Sequence, residues 1–88
     1  MSKFSEIKIR PAIGKSDLEV KIKAIIRLLK KGKQVKICIW FKGRELSHIE
    51  LGEDVLNTVI EQIEGQYKTI TKPNLSGKML SIHLTPRG

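Results

Sequence analysis

The stretch "QVKICIWFK", residues 34–42, constrains the fold more than any other part of the chain. Val35, Ile37, Ile39 and Phe41 alternate with Lys36, Cys38, Trp40 and Lys42. Successive side chains of a β-strand point to opposite faces of its sheet. One face of this strand therefore belongs in a core, while the other carries two lysines and the chain's only tryptophan. "SEIKIRP" repeats the pattern, with Ile7 and Ile9 set against Glu6, Lys8 and Arg10, and Pro11 ending the strand. A sheet of such strands is covered on one side only.

The intervening segments have helical spacing. In "SDLEVKIKAIIRLLKKG", Leu18, Ile22, Ile25, Ile26 and Leu29 fall on one face. Ser16 and Glu19 are spaced as a capping box, Lys30 and Lys31 suit the negative end of the helix, and Gly32 supplies a left-handed stop. "SHIELGEDVLNTVIEQIEG" repeats this grammar. Ser47 and Glu50 make a second expected capping box, Leu56, Val59, Ile60 and Ile63 line one side, and Gly65 ends the helix. Gly52 lies on or beside that buried side, where a missing side chain would permit close approach to the sheet. Two further strand-like runs, "QYKTITKP" and "KMLSIHLTP", flank the turn residues "NLSG" and predict a hairpin.

The expected fold is an α/β (α+β) two-layer sandwich, β-α-β-α-β-β. Right-handed crossovers place both helices on one face of a four-stranded mixed sheet. The open face carries Glu6, Lys8, Arg10, Lys36, Trp40, Lys42, Ser81 and His83. With 88 residues there is room for one domain, which buries roughly 60 to 65% of its unfolded surface. Residues 1–4 are expected to be a linker remnant or the chain's start, and 5–88 a single domain.

Charge points to the partner. Residues 1–44 hold 13 Lys/Arg against 3 Asp/Glu, whereas residues 45–88 hold 4 against 6. Basic charge polarised in this way suits a polyanion; the alternative is a basic surface with no partner, although such surfaces usually intersperse both signs. On the first helix, Lys23, Arg27 and Lys30 lie within about 60° of one another, opposite the apolar seam, with Lys21 toward the flank. Only Glu19 is spaced to pair with that stripe, four residues before Lys23.

"WFKGRELSH", residues 40–48, forms the strand-to-helix corner. Gly43 is expected to allow a tight turn that lets Arg44 project near the carboxyl ends of the strands, where open α/β sheets bind ligands. Arg44 could instead pair with Glu45 or Glu50. Two uses of Trp40 stay open: stacking on a base, or folding over an edge of the core.

Enzyme chemistry finds little support. His48, His83 and Cys38 are scattered, with no metal-ligand spacing, and no nucleophile elbow, P-loop or dinucleotide glycine pattern occurs. Glu53, Asp54, Glu61 and Glu64 follow an exposed helix face. Acyl-phosphate hydrolases share this architecture, and Asn57 with the arginines supplies their residue types, but there is no recognisable phosphate loop. No cofactor, metal or small-molecule substrate is expected. A single cysteine precludes an internal disulfide. With no membrane-length apolar run and no signal peptide, the expectation is a cytoplasmic monomer.

Four stretches carry a resemblance: "EIKIRP" at 6–11, D-x-x-x-K-x-K-x-x-I-R-x-L-x-x-G at 17–32, "FKGRELSH" at 41–48 and "GKMLSIHLTP" at 77–86. In this order and spacing the chain resembles the C-terminal domain of bacterial translation initiation factor 3. The resemblance implies a non-enzymatic factor that binds the small (30S) ribosomal subunit through ribosomal RNA. Such a factor keeps the large subunit from joining early and supports selection of initiator tRNA and the start codon. It also implies an N-terminal domain on a lysine-rich linker, for which this chain has no room.

Carried over motif by motif, the implied RNA-contacting positions are Arg10, Lys21, Arg27 and Arg44. Lys23, Lys42 and Lys78 stand where the family often has arginine, so charge is kept and the bidentate fork lost. Trp40 replaces a basic residue common in the family, and Thr58 stands where some members have arginine, which weakens the expected second-helix contact. With Lys30 of the basic stripe and Trp40, these residues make up the expected site. The rival reading is a general RNA-binding module acting in ribosome assembly.

Overall fold

The computed structural model describes residues 4–87. Its elements are β1 (Phe4–Ile9), α1 (Lys15–Lys30), β2 (Gln34–Trp40), a 3-10 helix (Gly43–His48), α2 (Ile49–Gln62), β3 (Tyr67–Ile70), β4 (Asn74–Ser76) and β5 (Met79–Pro86). β1 runs parallel to β2, and β5 is antiparallel to β2, β3 and β4. The sheet is therefore mixed, in the order β1-β2-β5-β3. Of the residues assigned to a linker remnant, 1–3 lie outside the described residues and Phe4 opens β1, opposite Gln34.

The alternation in the strands decides where the core sits. Ile9, Val35, Ile37, Ile39, Phe41, Leu80, Ile82 and Leu84 are buried in one cluster with Ile22, Ile25 and Leu29 of α1 and with Leu56, Val59 and Ile63 at α2. Both helices thus cover the same face of the sheet, as the sequence predicts. On the other face, strand register sets Lys36 beside His83, Cys38 beside Ser81 and Trp40 beside Met79.

Gly52 is buried because α2 lies close to β2. A Cβ there would stand 2.4 Å from Phe41 Cζ, 2.7 Å from Phe41 Cε1 and 3.0 Å from Ile39 Cγ2. The close approach expected of this glycine is present. α1 ends as expected: Gly32 takes φ 80°, its N–H donates to Leu29 O, and Lys33 N–H donates to Leu28 O. These two bonds form a Schellman motif.

Four local expectations are corrected. The Ser16/Glu19 capping box does not form, because α1 starts at Lys15 with Gly14 as N-cap and no side-chain cap. Ser16 is already inside the first turn. The Ser47/Glu50 box is absent too, because a 3-10 helix occupies Gly43–His48 and α2 follows with His48 as N-cap. Glu50 Oε1 instead lies 3.4 Å from His48 Nδ1.

Gly43 has neither a positive φ nor a close neighbour, so the corner does not depend on a glycine there. Finally, the sheet has five strands rather than four. "NLS" is not turn but β4, pairing Asn74, Leu75 and Ser76 with Ser81, Leu80 and Met79. The hairpin turn is Gly77-Lys78. Gly77 has φ 59° and no non-glycine φ among the described residues is positive, the signature of a II′ turn with glycine at its first central position. β3 and β4 together edge β5, with Thr71 N–H donating to His83 O between them.

Candidate nucleic-acid interface

The carboxyl ends of β1 and β2 lie side by side, so Arg10 emerges next to the residues that follow Trp40. Arg10 Nη2 donates to Glu45 Oε1 at 2.5 Å, and the same oxygen accepts the Lys42 backbone N–H at 2.7 Å. One carboxylate thereby ties the end of β1 to the entry of the 3-10 helix. On the far side, Phe41 N–H donates to Lys78 O at 2.8 Å, which draws the β4–β5 turn to the same corner. Three elements distant in sequence are joined here by backbone geometry and one acid.

These ties form an open cleft of about 520 Å³ whose lining includes Lys8, Arg10, Trp40, Lys42 and Lys78. The Lys8 ammonium lies over the Trp40 indole, 5.7 Å from the ring centroid. Exposed contacts of this kind contribute only about 0.5–1 kcal/mol, and Lys8 makes its other pairing, to Glu6, at 4.0 Å. Trp40 is 37% exposed. It lies on the open sheet face, lines this cleft and is not among the residues of the core cluster.

A second cleft, of about 580 Å³, shares Lys8 and Arg10 and extends to Lys21 on the flank of α1. Lys8 and Arg10 thus border both clefts, and Asp17 lines the second one together with Lys21. Arg44 is exposed on the neighbouring 3-10 helix. The acid beside it, Glu45, pairs with Arg10, and Glu50 pairs with His48. Neither alternative partner engages Arg44.

Lys23, Arg27 and Lys30 are exposed on the outer face of α1 and do not line the corner. Lys23 borders a separate groove between the helices that also includes Thr58. The Thr58 hydroxyl donates to Asp54 O at 2.9 Å, so its hydrogen is already used within the helix. No ion pair among the described residues engages Lys21, Lys23, Arg27 or Lys30, and the expected Glu19–Lys23 pair is absent.

Two contributors escape a reading of the sequence as a site. Lys8 is visible there only as one more charge in the β1 alternation. Glu45 looks like a partner for its neighbour Arg44, yet it serves Arg10, 35 residues away. Cys38 is fully buried on the open face. Burial pushes its thiol pKa above the ordinary 9.0, with Glu6 acting in the same direction and Lys36 and Lys8 against it. Asn57, the candidate catalytic asparagine, is exposed on α2 and lines none of these clefts.

A one-sided α+β sandwich with a cationic, aromatic-bearing corner at its strand ends defines a class of small basic domains. Comparison with known proteins gives the family. The model for "Translation initiation factor IF-3, C-terminal domain" matches residues 2–87, and the chain belongs to that family. It is 40% identical over 84 residues to translation initiation factor IF-3 of Mesorhizobium japonicum, covering 96% of this chain and 47% of the relative. To the factor of Hyphomonas neptunium it is 43% identical over 86 residues, 98% of this chain and 48% of the relative. To that of Borrelia garinii subsp. bavariensis it is 37% identical over 86 residues, 97% and 46%. The chain spans about half the length of these curated relatives. The family is one of translation factors, not enzymes. No helix among the described residues is long and apolar enough to cross a membrane.

Proposed function

We propose that this domain binds the small ribosomal subunit through ribosomal RNA and, by occupying that site, prevents premature joining of the large subunit. The observation that carries this reading is the gathering of Lys8, Arg10, Lys42 and Lys78 around one cleft, with Lys21 on the adjoining cleft and Arg44 exposed nearby, in a chain of the initiation-factor family. Phosphate contacts from such a cluster fix position on structured RNA with little dependence on sequence. The outward Lys23, Arg27 and Lys30 add a second contact line on α1.

Occupancy supplies the mechanism. A domain seated on an intersubunit surface excludes the large subunit sterically, and anything that favours subunit joining or correct start-complex formation weakens its hold by linkage. Support for start-codon and initiator-tRNA selection follows from the same competition. The domain acts in the cytoplasm, as a monomer, without cofactor, metal or small-molecule substrate.

Light scattering of re-associating 30S and 50S subunits tests this. The chain is expected to slow or reduce formation of 70S couples, and an Arg27→Ala/Arg44→Ala double variant is expected to lose the effect. Binding to small subunits with unchanged 70S formation would instead assign the domain to ribosome assembly.

A further inference from the structure

The Trp40 corner has a chemistry that phosphate contact alone does not use. Lysine and arginine suffice to hold a backbone, whereas an indole with free ring surface among four cations matches a whole nucleotide. We infer that the cleft between the ends of β1 and β2 is a slot for one unpaired RNA base, which stacks on Trp40 while its phosphate meets Lys42, Lys78 and Arg10. This deepens the RNA-binding reading above and rests on it.

The cleft, at about 520 Å³, lies within the roughly 300–1,000 Å³ typical of small-ligand sites. Its rim is fixed in advance. Glu45 holds Arg10 through one nitrogen and leaves other guanidinium N–H groups for an anion, while Phe41 N–H holds the turn that carries Lys78. The ring's present companion, Lys8, is loosely held. An incoming base displaces it from the indole, and its ammonium then joins the phosphate-binding rim. A base inside a duplex has its faces covered by its neighbours, so only a bulged or single-stranded nucleotide can enter.

Trp40 is the only tryptophan, so its emission reports on the slot directly. The 88-residue chain would be titrated with two RNA hairpins, one fully paired and one carrying a single bulged adenosine. The bulged hairpin is expected to quench Trp40 and to bind about 5- to 150-fold more tightly, the range that base–aromatic stacking gives. Trp40→Ala should abolish the difference between the hairpins, and Trp40→Tyr should keep part of it.

Equal binding of the two hairpins with no change in emission would overturn the slot. That result is read on the unsubstituted chain and does not depend on Trp40→Ala folding. Sedimentation with purified small subunits separates the two levels. Subunit binding without any bulge preference leaves the ribosomal reading standing and removes the slot. Bulge preference in a chain that ignores subunits supports the slot and removes the ribosomal reading.

Discussion

Gly52→Ala is expected to destabilise the domain, against its helix propensity. Alanine in a helix interior is favoured over glycine by about 1 kcal/mol. At this position the added Cβ would stand 2.4 Å from Phe41 Cζ and 3.0 Å from Ile39 Cγ2, inside van der Waals contact. Phe41 is 2% exposed, and its ring has no solvent to swing into. Overpacking a closed core costs about 1–3 kcal/mol, which leaves a net loss of up to about 2 kcal/mol after the propensity gain, and the 2.4 Å approach places this site toward that upper end. For a domain of this size each 1 kcal/mol lost lowers the midpoint by about 4–8 °C.

Thermal and urea melts followed by far-UV circular dichroism would measure it. A second substitution locates the cause. Phe41→Leu removes Cζ and Cε1, the two atoms nearest the added methyl, so in that background Gly52→Ala should become neutral or mildly stabilising. An equally harmful Gly52→Ala in both backgrounds, or a stabilising one in the parent, would refute close α2–β2 packing as the reason for glycine at 52. The point bears on the site, because Phe41 lies between Trp40 and Lys42.

Glu45→Ala removes the acceptor for both Arg10 and the Lys42 N–H and should cost about 1 kcal/mol in the same melts, while Glu45→Gln, which keeps a carbonyl for the N–H, should cost about half of that. An unchanged melt for Glu45→Ala would show that the corner is held by backbone alone. For Cys38, the folded thiol titrates above the ordinary 9.0, so the unfolded chain ionises first as pH rises. The stabilisation is full below the unfolded pKa and is lost progressively from about pH 8.5 upward toward the folded pKa. Cys38→Ala should flatten that alkaline decline in urea midpoints measured from pH 7 to 10.5, and an identical decline in the variant would assign it to other groups.

The sequence shows the sheet's two faces and both helices clearly, because burial of alternating or 3.6-spaced residues is a local property repeated over many positions. Ile37 and Ile39 could face only the core, and Lys36 and Lys42 only away from it. Features that depend on a single backbone step are not legible in the same way. Ser16 has the composition of an N-cap, but α1 begins one residue before it, and Ser47 is claimed by a 3-10 helix before α2 can use it. β4 is three residues long, too short for any alternation to show, and exists because Asn74–Ser76 finds the free edge of β5. The site divides in the same way. Its cations are legible from charge and helical phase, while their gathering at one corner depends on the parallel β1–β2 register and on Glu45 reaching Arg10 across 35 residues.

The most direct test of the central claim is equilibrium sedimentation of the 88-residue chain with purified small subunits across a salt series, beside the Arg27→Ala/Arg44→Ala variant. Binding through phosphates should weaken linearly as log affinity against log salt, and losing two contacts should make that slope shallower by about 1.4–1.8. That result, with much weaker binding by the variant, is the one predicted. Binding that ignores salt, or a variant indistinguishable from the parent, would contradict RNA recognition by this basic surface.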